Sequence, residues 1–179
     1  PETGPPVVLV HGLTSSHDDW GPVADLLVGA GMRVIAVNLR GHGGSTVGAE
    51  GFPLDRLGAD VGEVLKALDL DDVTLVGHSL GGVAVLNLLL AKPGEGAERV
   101  GCTVLVSTLA DSTSIDRRIA LKLGHTARYQ RLAEHPVHAP AAARFAFGEM
   151  PSRELVDHAL ASNRSCPAET RNGAARALL

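Results

Sequence analysis

Gly77-His78-Ser79-Leu80-Gly81 stands between a short apolar run, Val73-Thr74-Leu75-Val76, and a nearly all-apolar stretch from about 80 to 91 that stops before Pro93. A run of four to six β-branched and aliphatic residues suits a strand buried on both faces, and the longer stretch suits a buried helix. The three residues between them, 77–79, leave room only for a very tight turn. Gly77 and Gly81 suit it, because side chains there would crowd the turn and the contact between strand and helix. A strand, a sharp turn holding a serine clear of both elements, and then a helix is an α/β arrangement, and it constrains the rest of the chain.

The remainder of the first 107 residues repeats that alternation. Residues 5–10, 32–37 and 100–106 read as further buried strands, Pro-Pro-Val-Val-Leu-Val, Met-Arg-Val-Ile-Ala-Val and Val-Gly-Cys-Thr-Val-Leu-Val. Between them, residues 20–30 carry Trp20, Val23, Leu26 and Leu27 at helical spacing. Residues 54–68 place Leu54, Leu57, Val61, Val64, Leu65 and Leu68 on one helix face. Strand and helix in strict alternation predict a mostly parallel sheet with helices on both faces, joined by right-handed crossovers. The pattern changes after about residue 108. Residues 111–179 hold no good strand candidate; helical patterns near 115–133, 139–148, 152–161 and 167–178 are punctuated by Pro136, Pro140, Pro151 and Pro167. The expected organisation is an α/β core over 1–107 and a small helical cap over 108–179.

Composition narrows the function classes. The chain has 179 residues, of which 45% are hydrophobic but only 3% aromatic, so its core must be mainly aliphatic. A formal charge of −4 and the lack of a basic block argue against nucleic acid as a partner. No apolar run reaches the length of a membrane span. Pro1-Glu2-Thr3-Gly4 has neither the basic nor the apolar character of a signal peptide, and the expected location is the cytoplasm, with a processed, exported protein as the alternative. Cys102, in an apolar run, reads as a buried free thiol, and Cys166 lies in a polar stretch; two such cysteines do not make a disulfide framework. Gly41-His42-Gly43-Gly44-Ser45 lacks the ending of a phosphate-binding loop. His125, His135, His138 and His158 lack metal-ligand spacing, so neither cofactor nor metal is expected.

Three groups of residues carry candidate chemistry. Ser79 is the candidate nucleophile, held at the start of a helix whose positive end faces developing negative charge. His11-Gly12-Leu13 follows the first strand, at the sheet edge that also carries Ser79. The backbone N–H groups of Leu13 and Leu80 can together form an oxyanion hole, with His11 fixing the loop by hydrogen bonds. His78, adjacent to the serine, is expected to point away from it, and His42 reads as a loop residue at the same edge.

V-L-V-H-G-L at 8–13, N-L-R-G-H-G-G-S at 38–45, L-V-G-H-S-L-G-G at 75–82 and the strand at 100–106 occur in the order found in the α/β-hydrolase superfamily. The chain resembles its serine esterase and lipase branch, closely over 7–107 and loosely over 108–179. The resemblance implies an acyl-enzyme on Ser79, an oxyanion hole from Leu13 and Leu80, and a small ester-like substrate. Trp20 matches a tryptophan that opens the first helix in many members. Asn38 departs from the aspartate most members carry there, a structural position. Serine at 79 excludes the alkyl-enzyme chemistry of dehalogenases and epoxide hydrolases, which need an aspartate. The resemblance also implies further strands after the cap, bearing a triad acid and a histidine. These are expected outside the 179 residues, together with two outer strands at the front, and association with that further segment or another chain would supply them. Asp111 is the nearby candidate acid in members that place it after the fourth strand. The alternatives are a scaffold or binding protein that keeps the fold without the triad, or a perhydrolase-like or cyanohydrin-lyase-like reaction at the same site.

Overall fold

The computed structural model describes residues 3–110 and 152–178. Four parallel strands, β1 (Pro6–Val10), β2 (Arg33–Val37), β3 (Val73–His78) and β4 (Val100–Val106), form one sheet in the order β2-β1-β3-β4. The expected strands lie within two residues of these bounds at every end. The helices are α1 (Gly21–Gly29), preceded by a 3-10 turn over His17–Trp20, then α2 (Leu54–Ala67), α3 (Leu80–Leu89), α4 (Arg153–Ser165) and α5 (Ala168–Ala177). A parallel sheet flanked by helices is the arrangement that the alternation of apolar runs implied. The expected helices at 115–133 and 139–148 fall outside the described residues.

Strand alternation divides the core. Val8 and Val10 of β1 join Val73 and Leu75 of β3 in a cluster with Leu57, Val61 and Leu65 of α2 and Leu80, Ala84 and Leu88 of α3. Val7 and Leu9, offset by one residue, are buried on the opposite side. β1 and β3 are thus the central strands, and the turn that follows β3 rests on the best-packed part of the molecule.

One expectation fails at the edge of the sheet. β4, apolar enough for burial on both faces but expected to be an edge in these 179 residues, has no strand beyond it among the described residues, and Val104, Leu105 and Val106 are 41%, 43% and 39% exposed. Cys102 of β4 is therefore exposed, whereas Cys166, in its polar surroundings, is buried where α4 gives way to α5. An apolar sequence records what a strand is suited to pack against, and neighbours in space decide whether it does.

The C-terminal helices sit directly on the core. Ala174 and Leu178 belong to the same hydrophobic cluster as the strands, and the Thr170 hydroxyl donates to the Gly41 carbonyl at 2.9 Å.

Candidate active site

β3 ends at His78, α3 begins at Leu80, and Ser79 makes the whole connection between them. Its backbone has φ 51° and ψ −115°, a conformation that side-chain-bearing residues avoid and that costs on the order of 1–3 kcal/mol. The surrounding structure holds it there. The Ser79 N–H donates to the Val106 carbonyl at 3.0 Å, and the Ser79 carbonyl accepts from the Thr108 hydroxyl at 2.7 Å and from the Val83 N–H at 3.2 Å. The two glycines meet the steric demand expected of them. A Cβ at Gly77 would lie 2.6 Å from the Gly82 Cα, and one at Gly81 would overlap the carbonyls of Val10 and His11. Ser79 is left half-buried, at the N-terminus of α3.

The loop after β1 reaches the same point. A Cβ on Gly12 would lie 3.3 Å from the Ser79 Cβ, so the Gly12–Leu13 segment abuts the serine. Leu13 is half-buried and packs against the core, and Leu80 is buried as the first residue of α3. The N–H of a first helical residue has no carbonyl four residues back within its helix and is directed out of the helix end. Leu13, Ser79 and Leu80, predicted on separate grounds, are brought together at the carboxyl edge of the sheet.

His11 fixes the loop as anticipated. Its Nδ1–H donates to the Gly12 carbonyl at 2.8 Å, and its Nε2 accepts from the Leu39 N–H at 3.1 Å. The second bond fixes the neutral tautomer with its proton on Nδ1. Burial, with His11 only 1% exposed, holds the imidazole at about 4, well below the ordinary 6.5, because the charged form loses its solvation. His42 packs edge-on against it, with ring centroids 5.1 Å apart, and donates from Nδ1 to the Arg40 carbonyl at 3.0 Å. Burial lowers its pKa too. Both rings are committed to the loops. The His78 ring lies beside Gly12 and is exposed. Among the described residues, no histidine is hydrogen-bonded to the Ser79 hydroxyl. Asp111, His125, His135 and His138 lie outside the described residues.

Sequence reading missed two contributors. Thr108 holds the Ser79 carbonyl from the end of β4, and only the register of that strand brings it there. Asp19 receives hydrogen bonds from both Ser15 and α4 and had no motif to mark it. Asn38 accepts from the His17 N–H at 2.8 Å, tying the end of β2 to the 3-10 turn. A separate cavity of about 510 Å³ lies along Arg40, Ser45, Val47, Asp60 and Val64; Ser79 is not on its wall, and its two charges answer each other through Arg40–Asp60 bonds of 2.6 and 2.8 Å.

Known proteins share this architecture. A non-heme chloroperoxidase of Burkholderia pyrrocinia is 40% identical over 109 residues, 61% of this chain and 39% of that protein. One from Streptomyces lividans is 32% identical over 165 residues, 88% of this chain and 60% of that protein. The chain thus spans less than two thirds of the length of these relatives. The esterase EaEST from Exiguobacterium antarcticum has the same fold, with a TM-score of 0.81 at 23% identity over 98% of this chain and 66% of that one. The description "alpha/beta hydrolase fold" matches residues 5–177, nearly the whole chain, and with its parallel sheet and serine turn the chain belongs to that family.

Proposed function

We propose that the whole protein is a serine hydrolase that cleaves an ester, or a related acyl bond, through an acyl-enzyme on Ser79. The observation that carries this reading is the backbone of Ser79, held at φ 51° against the Gly12–Leu13 loop. A scaffold has no use for such strain, whereas a nucleophile gains an unobstructed hydroxyl. In the proposed reaction the Ser79 Oγ attacks the acyl carbonyl, and the carbonyl oxygen takes up negative charge between the Leu13 and Leu80 N–H groups. The positive end of α3 adds to that stabilisation. The alcohol then leaves, and water releases the acid. We assign 1–107 to the core and 108–179 to the cap that walls the acyl pocket. A base must take the serine proton; His11, bonded at both ring nitrogens, and His42, buried and held through Nδ1 on the Arg40 carbonyl, are unsuited to it.

The test is ester hydrolysis by the whole protein with and without Ser79→Ala. Turnover is expected to fall by roughly four orders of magnitude or more. Equal kcat/KM in the two proteins would sink the assignment. Similarity to a bifunctional esterase/perhydrolase of Acinetobacter calcoaceticus, 32% identical over 109 residues, favours a second reaction at the same centre, in which hydrogen peroxide instead of water takes the acyl group from Ser79 and yields a peracid. Formation of peracid from ester and peroxide, lost in Ser79→Ala, tests it.

A further inference from the structure

Leu13 lies in a turn that is unfavourable by itself. Thr14, a β-branched residue, sits at φ 63°, in the left-handed region such residues avoid. The turn is closed only by a long bond from the Ser15 N–H to the Gly12 carbonyl, 3.4 Å. His11 pins its inner side through the Gly12 carbonyl. On its outer side the Ser15 hydroxyl donates to the Asp19 carboxylate in a short contact. The other oxygen of that carboxylate accepts from the Ser162 hydroxyl at 3.0 Å and lies 2.6 Å from His158 Nε2. His158 and Ser162 are four residues apart on α4 and present both donors from one face. A single carboxylate thus joins the oxyanion turn to a helix roughly 140 residues further along the chain.

We propose that Asp19 is a positioning residue that couples the seating of α4 to the oxyanion turn, so that α4 in place holds the Leu13 N–H in line and α4 displaced lets it drift. Both oxygens of the carboxylate are engaged, one towards each element, so movement of α4 pulls on Ser15 through a group with little remaining freedom. Ser15 is two residues from Leu13, and a strained turn transmits such a pull because it has no relaxed alternative nearby. The consequence for rate rests on the serine-hydrolase reading above; the consequence for mobility of the turn does not.

The test therefore has two arms, both on the whole protein. Hydrogen exchange of the amides over residues 12–16 is followed in wild type, Asp19→Ala, His158→Ala, the double variant, His158→Gln and, as a control, Glu154→Gln in the exposed first turn of α4. Exchange is expected to quicken about three- to fivefold in each single alanine variant, the scale of an exposed ion pair with supporting hydrogen bonds. The double variant should be no faster than Asp19→Ala, His158→Gln should restore most of the protection because its amide replaces the Nε2 donor, and Glu154→Gln should match wild type. Unchanged exchange in His158→Ala, or effects that simply multiply in the double variant, would overturn the coupling. In the kinetic arm, Asp19→Ala and His158→Ala are expected to lower kcat on an ester about tenfold with KM little changed, short of the 10²–10³ that outright loss of an oxyanion donor costs. A loss confined to KM would overturn the positioning role. Ser79→Ala separates the two readings, since activity that survives it refutes the hydrolase assignment and leaves the exchange result standing.

Discussion

At the scale of single residues, the chemistry of the site is organised by imidazoles that cannot titrate freely. His11 is neutral, with its proton on Nδ1, because Leu39 donates to its other nitrogen and water is excluded from around it. Above about pH 6.5 it is uncharged whether the chain is folded or not, and stability is indifferent to it. As pH falls below 6.5, the unfolded chain takes up a proton that the folded site refuses until about pH 4. Stability is therefore present at neutral pH and lost on the way down, by about 3 kcal/mol for this group once pH is below 4. His42 adds a loss of the same sign. Urea unfolding of wild type and His11→Gln across pH 4 to 7 checks this: the variant retains an acceptor for the Leu39 N–H and should lose a large share of the slope. An unchanged slope would show that another group carries the acid sensitivity. The motif around Ser79 was legible residue by residue because it depends on local sterics. Thr108 and Asp19 were not, because each acts through a partner far away in sequence, and an isolated Thr or Asp carries no signal of its partner.

Elements were legible for a different reason. A strand buried on both faces must be apolar throughout, and a helix covering a sheet must repeat its apolar residues at helical spacing, so the sequence pattern located the four strands and the five α-helices of the described residues. What the apolar pattern of β4 did not reveal was its position at an edge. Among the described residues no strand pairs with the outer edge of β4, which with exposed Val104, Leu105 and Val106 makes a template for another strand. The 179-residue polypeptide on its own is expected to self-associate through this edge in sedimentation velocity, and Val104→Lys to shift it towards monomer. A monomer at all concentrations before the substitution would show that the edge is already protected. The exchanged roles of the two cysteines arise in the same way. Cys102 follows its strand to the surface, and Cys166 is covered where α4 meets α5, which pushes its thiol pKa up.

For the whole molecule, the packing of the C-terminal helices on the sheet bears directly on stability. Ala174 of α5 is fully buried within the cluster built by the strands, α2 and α3, and Thr170 is bonded to the Gly41 loop. Segments that share one core unfold together. Ala174→Asp would bury an unpaired carboxylate and is expected to lower the stability of the whole unit by about 3 kcal/mol or more, in a single transition common to near- and far-ultraviolet circular dichroism. Two separate transitions, with only the second altered, would instead describe a cap that folds by itself. The same continuity lets α4 reach Asp19, since a helix seated on the core can report its position to the loops around it.

The sequence by itself determined the class of fold, the course of the four strands, and the meeting of Leu13, Ser79 and Leu80 at one sheet edge. These follow from short-range rules: alternation and periodicity for the elements, glycine at a turn without room for Cβ, and the parallel crossovers that bring strand ends to one side. Tertiary structure alone decided which cysteine would be covered, which histidines would be neutralised by burial, and which carboxylate would bond both to a distant helix and to Ser15 beside the Gly12–Leu13 loop. Each of these depends on what lies within a few ångströms in space, and residues up to about 140 positions apart supply it.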